Sequence, residues 1–190
     1  MTKILYLHGF ASSADSTKAN QISSFINKEM KKTKILIPDL NNNIKHAHDQ
    51  IKFIIKQECP TAFMGSSLGG FYGTYFSEKY NLPCVNINPA IPPLDMSEYL
   101  GENPNYSTGK KFTIDQKQLD FLNAMSKSIK KIKKPENFMT LVQSGDEVLN
   151  YKQALAYYAG SQIDVTYGGN HSFDGFDNYL EKIQVFLNLH

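Results

Sequence analysis

Cysteine is scarce in this chain, with two among 190 residues, and that excludes a disulfide-stapled scaffold. Cys59 and Cys84 each fall just before, or at the start of, an apolar run. They read as reduced, partly buried packing residues at the amino-end edge of a sheet, with nothing secretory to support a bridge. No His/Cys spacing of the kind that holds zinc occurs, and no cofactor is expected. Charge of one sign is lacking too: 20 Lys and Arg stand against 18 Asp and Glu, for a formal net charge of +2. The two signs are interspersed, which argues against nucleic acid or a membrane surface as a partner. No apolar run approaches a membrane span, and Met1-Thr2-Lys3 leads into a strand without a long apolar leader segment, so a cytoplasmic protein is expected. The length fits a single domain over 1–190.

What the sequence does contain is an alternation of short apolar runs with helical patterns, the signature of a mainly parallel sheet covered by helices on both faces. Six strands are expected. They begin at Ile4-Leu5-Tyr6-Leu7, Lys34-Ile35-Leu36-Ile37 and Thr61-Ala62-Phe63-Met64, and continue with Pro83 to Asn88, Phe138 to Gln143 and Ile163 to Tyr167. Ser16 is placed to cap a helix carrying Ala19, Ile22, Phe25, Ile26 and Met30. Ile44, Ile51, Ile54 and Ile55 mark the next one. Tyr151 to Tyr158 gives a helix between the last two strands, and Phe176, Tyr179, Leu180, Ile183 and Phe186 line the terminal one.

Between the third strand and its helix lies Gly65-Ser66-Ser67-Leu68-Gly69. A serine on a sharp strand-to-helix turn is pushed out where a base and a substrate both reach it, which makes Ser67 the candidate nucleophile. Ser66 occupies the neighbouring position, whose side chain turns into the packing. The partners are expected downstream in the order acid, then histidine. Ser144-Gly145-Asp146-Glu147 turns off the fifth strand, and Gly168-Gly169-Asn170-His171 leaves the sixth. Asp146 is read as the acid in preference to adjacent Glu147, and His171 as the base. All three stand at carboxyl ends of strands, the edge where open α/β sheets bind ligands. His8-Gly9-Phe10 turns off the first strand at the same edge. The backbone N–H groups of Phe10 and Leu68 are the expected oxyanion donors, with Gly9 beside the substrate and His8 bracing the loop. His46 and His48 are two apart on a helix, too close in sequence to share a face as metal ligands do, and read as surface residues. His190 reads as solvated.

One stretch, 89–135, is far longer than an ordinary connection. It holds Ile91-Pro92-Pro93-Leu94, Tyr99-Leu100-Gly101, a polar hairpin-like segment through Gly109, and a helix capped by Asp115 with Leu119, Leu122 and Met125. Because it leaves a strand at the active edge, it is expected to form a short cap. Ile91, Leu94, Tyr99, Leu119 and Leu122 would then wall an acyl pocket. Lys127, Lys130, Lys131, Lys133 and Lys134 follow. A solvated face accounts for them; a landing site for the phosphates of an acyl-CoA is the sharper alternative.

Several strings occur in an order that resembles the small YqiA-like esterases of the α/β-hydrolase superfamily, over nearly the whole chain. They are Leu5-Tyr6-Leu7-His8-Gly9-Phe10 with Ser12-Ser13, Gly65-Ser66-Ser67-Leu68-Gly69-Gly70 with Tyr72, Asn88-Pro89-Ala90, Tyr99-Leu100-Gly101, Gly145-Asp146-Glu147-Val148-Leu149 with Tyr151, Tyr157 and Tyr158, and Gly168-Gly169-Asn170-His171 with Phe173, Gly175 and Phe176. The resemblance implies a compact α/β-hydrolase fold and an esterase or thioesterase of simple acyl groups using Ser67, Asp146 and His171. The expected partner is a small acyl ester or thioester. A binding module or receptor that keeps the fold without turnover is the alternative of a different class.

Overall fold

The computed structural model describes residues 2–189; His190 lies outside them. Six strands form one parallel sheet: β1 (Thr2–Leu7), β2 (Thr33–Leu36), β3 (Ala62–Ser67), β4 (Cys84–Pro89), β7 (Phe138–Gln143) and β8 (Gln162–Thr166), in the order β2-β1-β3-β4-β7-β8. Every pairing between neighbours is parallel. Each crossover is made by a helix: α1 (Thr17–Glu29), α2 (Ile44–Glu58), α3 (Leu68–Tyr80), α4 (Gln116–Ser128) or α5 (Tyr151–Tyr157), with α6 (Leu180–Phe186) closing the chain.

The period-two alternation of strand side chains divides the core. Leu5, Leu7 and Phe63 point to the face covered by α2, α3, α4 and α5, whereas Ile4, Tyr6, Ala62 and Met64 point to the face of α1 and α6. Central strands buried on both faces explain the continuous apolar runs at Ile4 to Leu7 and Phe138 to Val142. The six expected strands are all present.

Some expectations are corrected. Ser16 occupies the cap position of α1, but its side chain makes no capping hydrogen bond. Asn43, Asp115 and Asn150 do cap their helices through side-chain oxygens. His46 is exposed, but His48 is buried. On α2 it falls beside Ile44, Ile51 and Ile55, and its ring lies against Phe76 at 5.4 Å and Phe121 at 5.2 Å. Cys59 is exposed where α2 ends, Cys84 is fully buried at the start of β4, and both are free thiols.

The 89–135 stretch divides in two. Its first part runs through a short 3₁₀ turn, Ser97–Tyr99, to an antiparallel hairpin of β5 (Gly101–Pro104) and β6 (Lys111–Ile114). Its second part, α4, does not stand over the site. It packs beside α2, and Leu119, Leu122, Met125, Ile129 and Ile132 enter the main core. Gln118 fastens the junction, accepting from Ile44 N at 3.0 Å and donating to Thr113 O at 3.0 Å. Among the described residues, no helix is long and apolar enough to cross a membrane.

Candidate active site

Ser67 ends β3 and opens α3 with φ 56° and ψ −123°, a conformation that L residues adopt at a cost of order 1–3 kcal/mol. The turn is tight because strand and helix nearly touch. A β-carbon on Gly65 would lie 2.2 Å from Gly69 O, and one on Gly69 would lie 2.0 Å from Leu7 O. These contacts explain why the motif needs glycine on both sides of the serine. The β3–β4 register also shifts between Ser66 and Ser67, so that Ser66 faces Ile87 and Ser67 faces Pro89, with Asn88 the extra residue between them.

His171 Nε2 stands 3.0 Å from Ser67 Oγ, and its Nδ1 lies 2.8 Å and 3.0 Å from the two Asp146 carboxylate oxygens. The carboxylate is almost wholly enclosed, with its side chain 2% exposed against 22% for His171. Asp146 Oδ1 also accepts from Val148 N at 2.9 Å and Leu149 N at 2.8 Å. An imidazole that donates from Nδ1 to a fixed carboxylate has Nε2 free to take a proton from the serine hydroxyl. Ser66 is buried, as expected for the side chain turned into the packing. Glu147 faces away from the ring: its Oε2 accepts from His171 N at 2.9 Å, and that bond, after one from its own amide, holds its carboxyl below the usual range.

Three polar side chains that position this group escaped the sequence reading. Asn88, at φ 39°, donates from Nδ2 to Asn170 O at 3.0 Å and to His171 O at 3.2 Å, and its Oδ1 accepts from Gln143 N at 2.9 Å. Buried Gln143 accepts from Asn170 N at 3.0 Å and Asp174 N at 2.9 Å, and donates to Asp174 O at 2.7 Å. Gly169, at φ 73°, leaves room for it; a β-carbon there would meet Gln143 Oε1 at 2.0 Å. The third is Lys18, whose Nζ donates to Ser172 O at 2.7 Å. The available signal was a polar residue near the carboxyl end of a buried strand, at Asn88 and at Gln143.

On the other side of Ser67, Gly9 approaches so closely that a β-carbon on it would lie 3.2 Å from Ser67 Cβ. Among the described residues, neither the Phe10 nor the Leu68 amide donates a hydrogen bond to the chain. His8 anchors this loop: Nε2 accepts from Leu40 N at 2.8 Å and Nδ1 donates to Gly9 O at 2.9 Å. Burial lowers its pKa from 6.5, so the Asp39 carboxylate 3.6 Å away faces a neutral ring. The hairpin clasps the same loop. Tyr106 N donates to Ala11 O at 2.8 Å, Asn105 Nδ2 donates to Ser12 O at 3.2 Å, and Phe10 packs on Tyr99 and Phe112 at 4.8 Å and 5.5 Å between centroids.

A cleft of about 240 Å³ opens at Ser67 and His171, lined also by Gly9, Phe10, Lys18 and Tyr106. Ile91, Leu94, Tyr99, Leu119 and Leu122 are not among its lining residues. Leu119 and Leu122 are held in the core by α2, Ile91 and Leu94 pack against that core, and Tyr99 reaches the site only through Phe10. The lysine cluster stands elsewhere: Lys127 and Lys130 line a groove with Pro92 and Pro93, and Lys133 and Lys134 line another with Glu78. Among the described residues, no group of three or more His, Cys, Asp or Glu is placed to hold a metal ion.

This strand order, with a serine elbow after β3 and a histidine loop after the last strand, is that of an α/β-hydrolase fold, and solved structures agree. Alpha/beta hydrolase domain-containing protein 10 from mouse superposes with a TM-score of 0.72 at 16% identity, covering 98% of this chain and 89% of that one. Est1E from Butyrivibrio proteoclasticus, solved with ferulic acid bound, gives 0.70 at 12% identity over 99% and 87%. The esterase domain of a Rhodothermus marinus protein gives 0.68 at 17% identity over 98% and 85%. The chain belongs to the uncharacterised protein family UPF0227, whose model matches residues 3–188, in agreement with the YqiA-like resemblance of its motifs.

Proposed function

We propose that the protein is a serine hydrolase of carboxylic esters, acting through Ser67, His171 and Asp146. The observation that carries this reading is the hydrogen-bonded line from Ser67 Oγ to His171 Nε2 and from His171 Nδ1 to Asp146, begun by a serine in an elbow conformation. Ser67 Oγ attacks the acyl carbonyl while its proton passes to Nε2, and the carbonyl oxygen becomes an oxyanion. The free amides of Phe10 and Leu68 receive that charge. Collapse of the tetrahedral adduct expels the alcohol, which takes the proton from Nε2 and leaves an acyl-serine. Water then repeats the attack, gives its proton to Nε2, and releases the acid and the serine. Asp146 holds the ring orientation and stabilises the imidazolium.

The small cleft supports short to medium acyl groups, since pockets for drug-sized ligands run to about 300–1,000 Å³. Esters are favoured over acyl-CoA because the lysine cluster lines grooves that share no residue with the cleft. A fluorophosphonate probe tests the reading. Stoichiometric labelling that disappears in Ser67→Ala, with turnover of 4-nitrophenyl acetate lost in parallel, is the expected result. A folded protein that takes no label and turns over no ester in a panel of chain lengths sinks it in favour of a non-catalytic receptor.

A further inference from the structure

The wall of the cleft toward α1 carries polar groups that the steps above leave unused. Tyr6 lies on β1 with its side chain on the α1 face, and its ring is fully buried at the floor of the cleft. Among the described residues, its Oη has no partner other than the neighbouring Ser16 hydroxyl. Ser16 Oγ, which does not cap α1, is also buried, and the two hydroxyls have only each other. Paired only with each other, the two hydroxyls still leave one O–H without an acceptor, and native structures rarely do so, because an unmatched buried group costs about 1–3 kcal/mol. Lys18 lines the same wall, half-buried. One N–H of its ammonium goes to Ser172 O, and among the described residues no carboxylate lies within ion-pair distance of it. Burial pulls its pKa down, and the charge of Asp146 pulls it back up.

We infer that this wall is an anion subsite and that the preferred substrate is an ester bearing a carboxylate, bound through Lys18 Nζ and the hydroxyls of Tyr6 and Ser16. The inference rests on the hydrolase reading and deepens it. A neutral polar group satisfies the free hydroxyl but leaves the lysine with only the charge of Asp146, which is committed to His171, whereas a carboxylate accepts from the hydroxyl pair and from the ammonium and supplies a counter-charge of its own. Burial keeps the Tyr6 phenol protonated, so it meets the anion as a donor. The carboxylate belongs either to the acyl part or to the alcohol part of the ester, and the substrates of the test separate the two.

The test compares two pairs of similar size and different charge by kcat/KM, each corrected for spontaneous hydrolysis. The first pair is 4-nitrophenyl hemisuccinate against 4-nitrophenyl pentanoate, with the charge on the acyl side. The second is 4-acetoxybenzoate against its methyl ester, with the charge on the leaving group. We expect one anionic ester to exceed its neutral partner by about tenfold to a hundredfold, the range of a charge-assisted hydrogen bond. Lys18→Met should collapse that ratio, Lys18→Arg should restore most of it, and added salt should lower it in the wild type. Tyr6→Phe should raise KM for the anionic ester with little change in Tm, since the lost hydroxyl faces only Ser16 within the chain. Ratios at or below one in both pairs overturn the subsite, and this needs no variant to fold. So does a Lys18→Met protein that loses charged and neutral turnover in equal proportion, which assigns Lys18 to fastening Ser172 alone. Fluorophosphonate labelling of Ser67 with flat ratios removes the subsite and leaves the hydrolase reading standing; absent labelling removes both.

Discussion

Replacing Gln143 by Leu, a side chain of similar size, isolates what holds His171 in place. The substitution removes the shared acceptor of Asn170 N and Asp174 N and the donor to Asp174 O, three bonds of 3.0, 2.9 and 2.7 Å that bracket His171. Each unsatisfied buried group costs about 1–3 kcal/mol. The loop is partly exposed, and water re-solvates part of it, so a total loss near 2–4 kcal/mol follows. Asn88 still holds Asn170 O and His171 O, which keeps the loop attached but free to shift. A shift of about 1 Å in a reacting group costs about 10²-fold. The expected outcome is a kcat for 4-nitrophenyl acetate about a hundredfold lower with KM little changed, a slower fluorophosphonate reaction, and a lower urea midpoint at constant slope. A variant that loses the stability yet keeps kcat within threefold refutes the reasoning, because Gln143 would then support the fold without positioning the base.

Asp146→Asn should lower kcat by about 10⁴, since an amide at this place favours the wrong imidazole tautomer; steady-state kinetics on folded protein check it. Buried His8 gives a signed pH effect. Its folded pKa is lowered from 6.5, so the folded state resists a proton that the unfolded chain accepts, and stability present above about pH 6.5 falls as pH drops toward the folded value. Urea midpoints measured from pH 7.5 to 5.5 should decline, and the decline should flatten in His8→Gln. Leu122→Ala should cost about 2–5 kcal/mol by leaving a cavity between α4 and α2, with an unchanged acyl-length profile; a shifted profile would return this residue to the pocket wall.

The elements and the reacting residues were legible because each obeys a local rule. Apolar runs bounded by turns announced the six strands, and the glycine-flanked serine announced the elbow whose crowding only glycine relieves. Residues that act at a distance were not legible. Gln143 and Asn88 read as the frayed polar ends of strands, and their partners lie 27 and 82 residues away. Tyr6 read as plain core because a phenol and a phenyl look alike in an apolar run, and only the fold shows it beside the cleft with its hydroxyl buried. Leu119 and Leu122 misled for the opposite reason. Their helical spacing was right, but a spacing does not say which surface a helix covers, and α2 left a face open for them. His48 failed in the same way, its neighbours on α2 placing it inward.

The clasp of the hairpin on the loop after β1 bears on how the chain acquires activity. Ala11 is tied to Tyr106, Ser67 to His171, Asn88 to both Asn170 and His171, and Lys18 to Ser172, so the cleft depends on segments about 80 to 154 residues apart. Loops that long close late, because their entropy must be overcome before any contact within them stabilises the chain. Secondary structure and the β1–β3 pairing can therefore form while the cleft does not yet exist. Regain of ester turnover after dilution from denaturant should accordingly lag the recovery of helical signal and coincide with the last cooperative step of folding, making activity a clock for the completed topology.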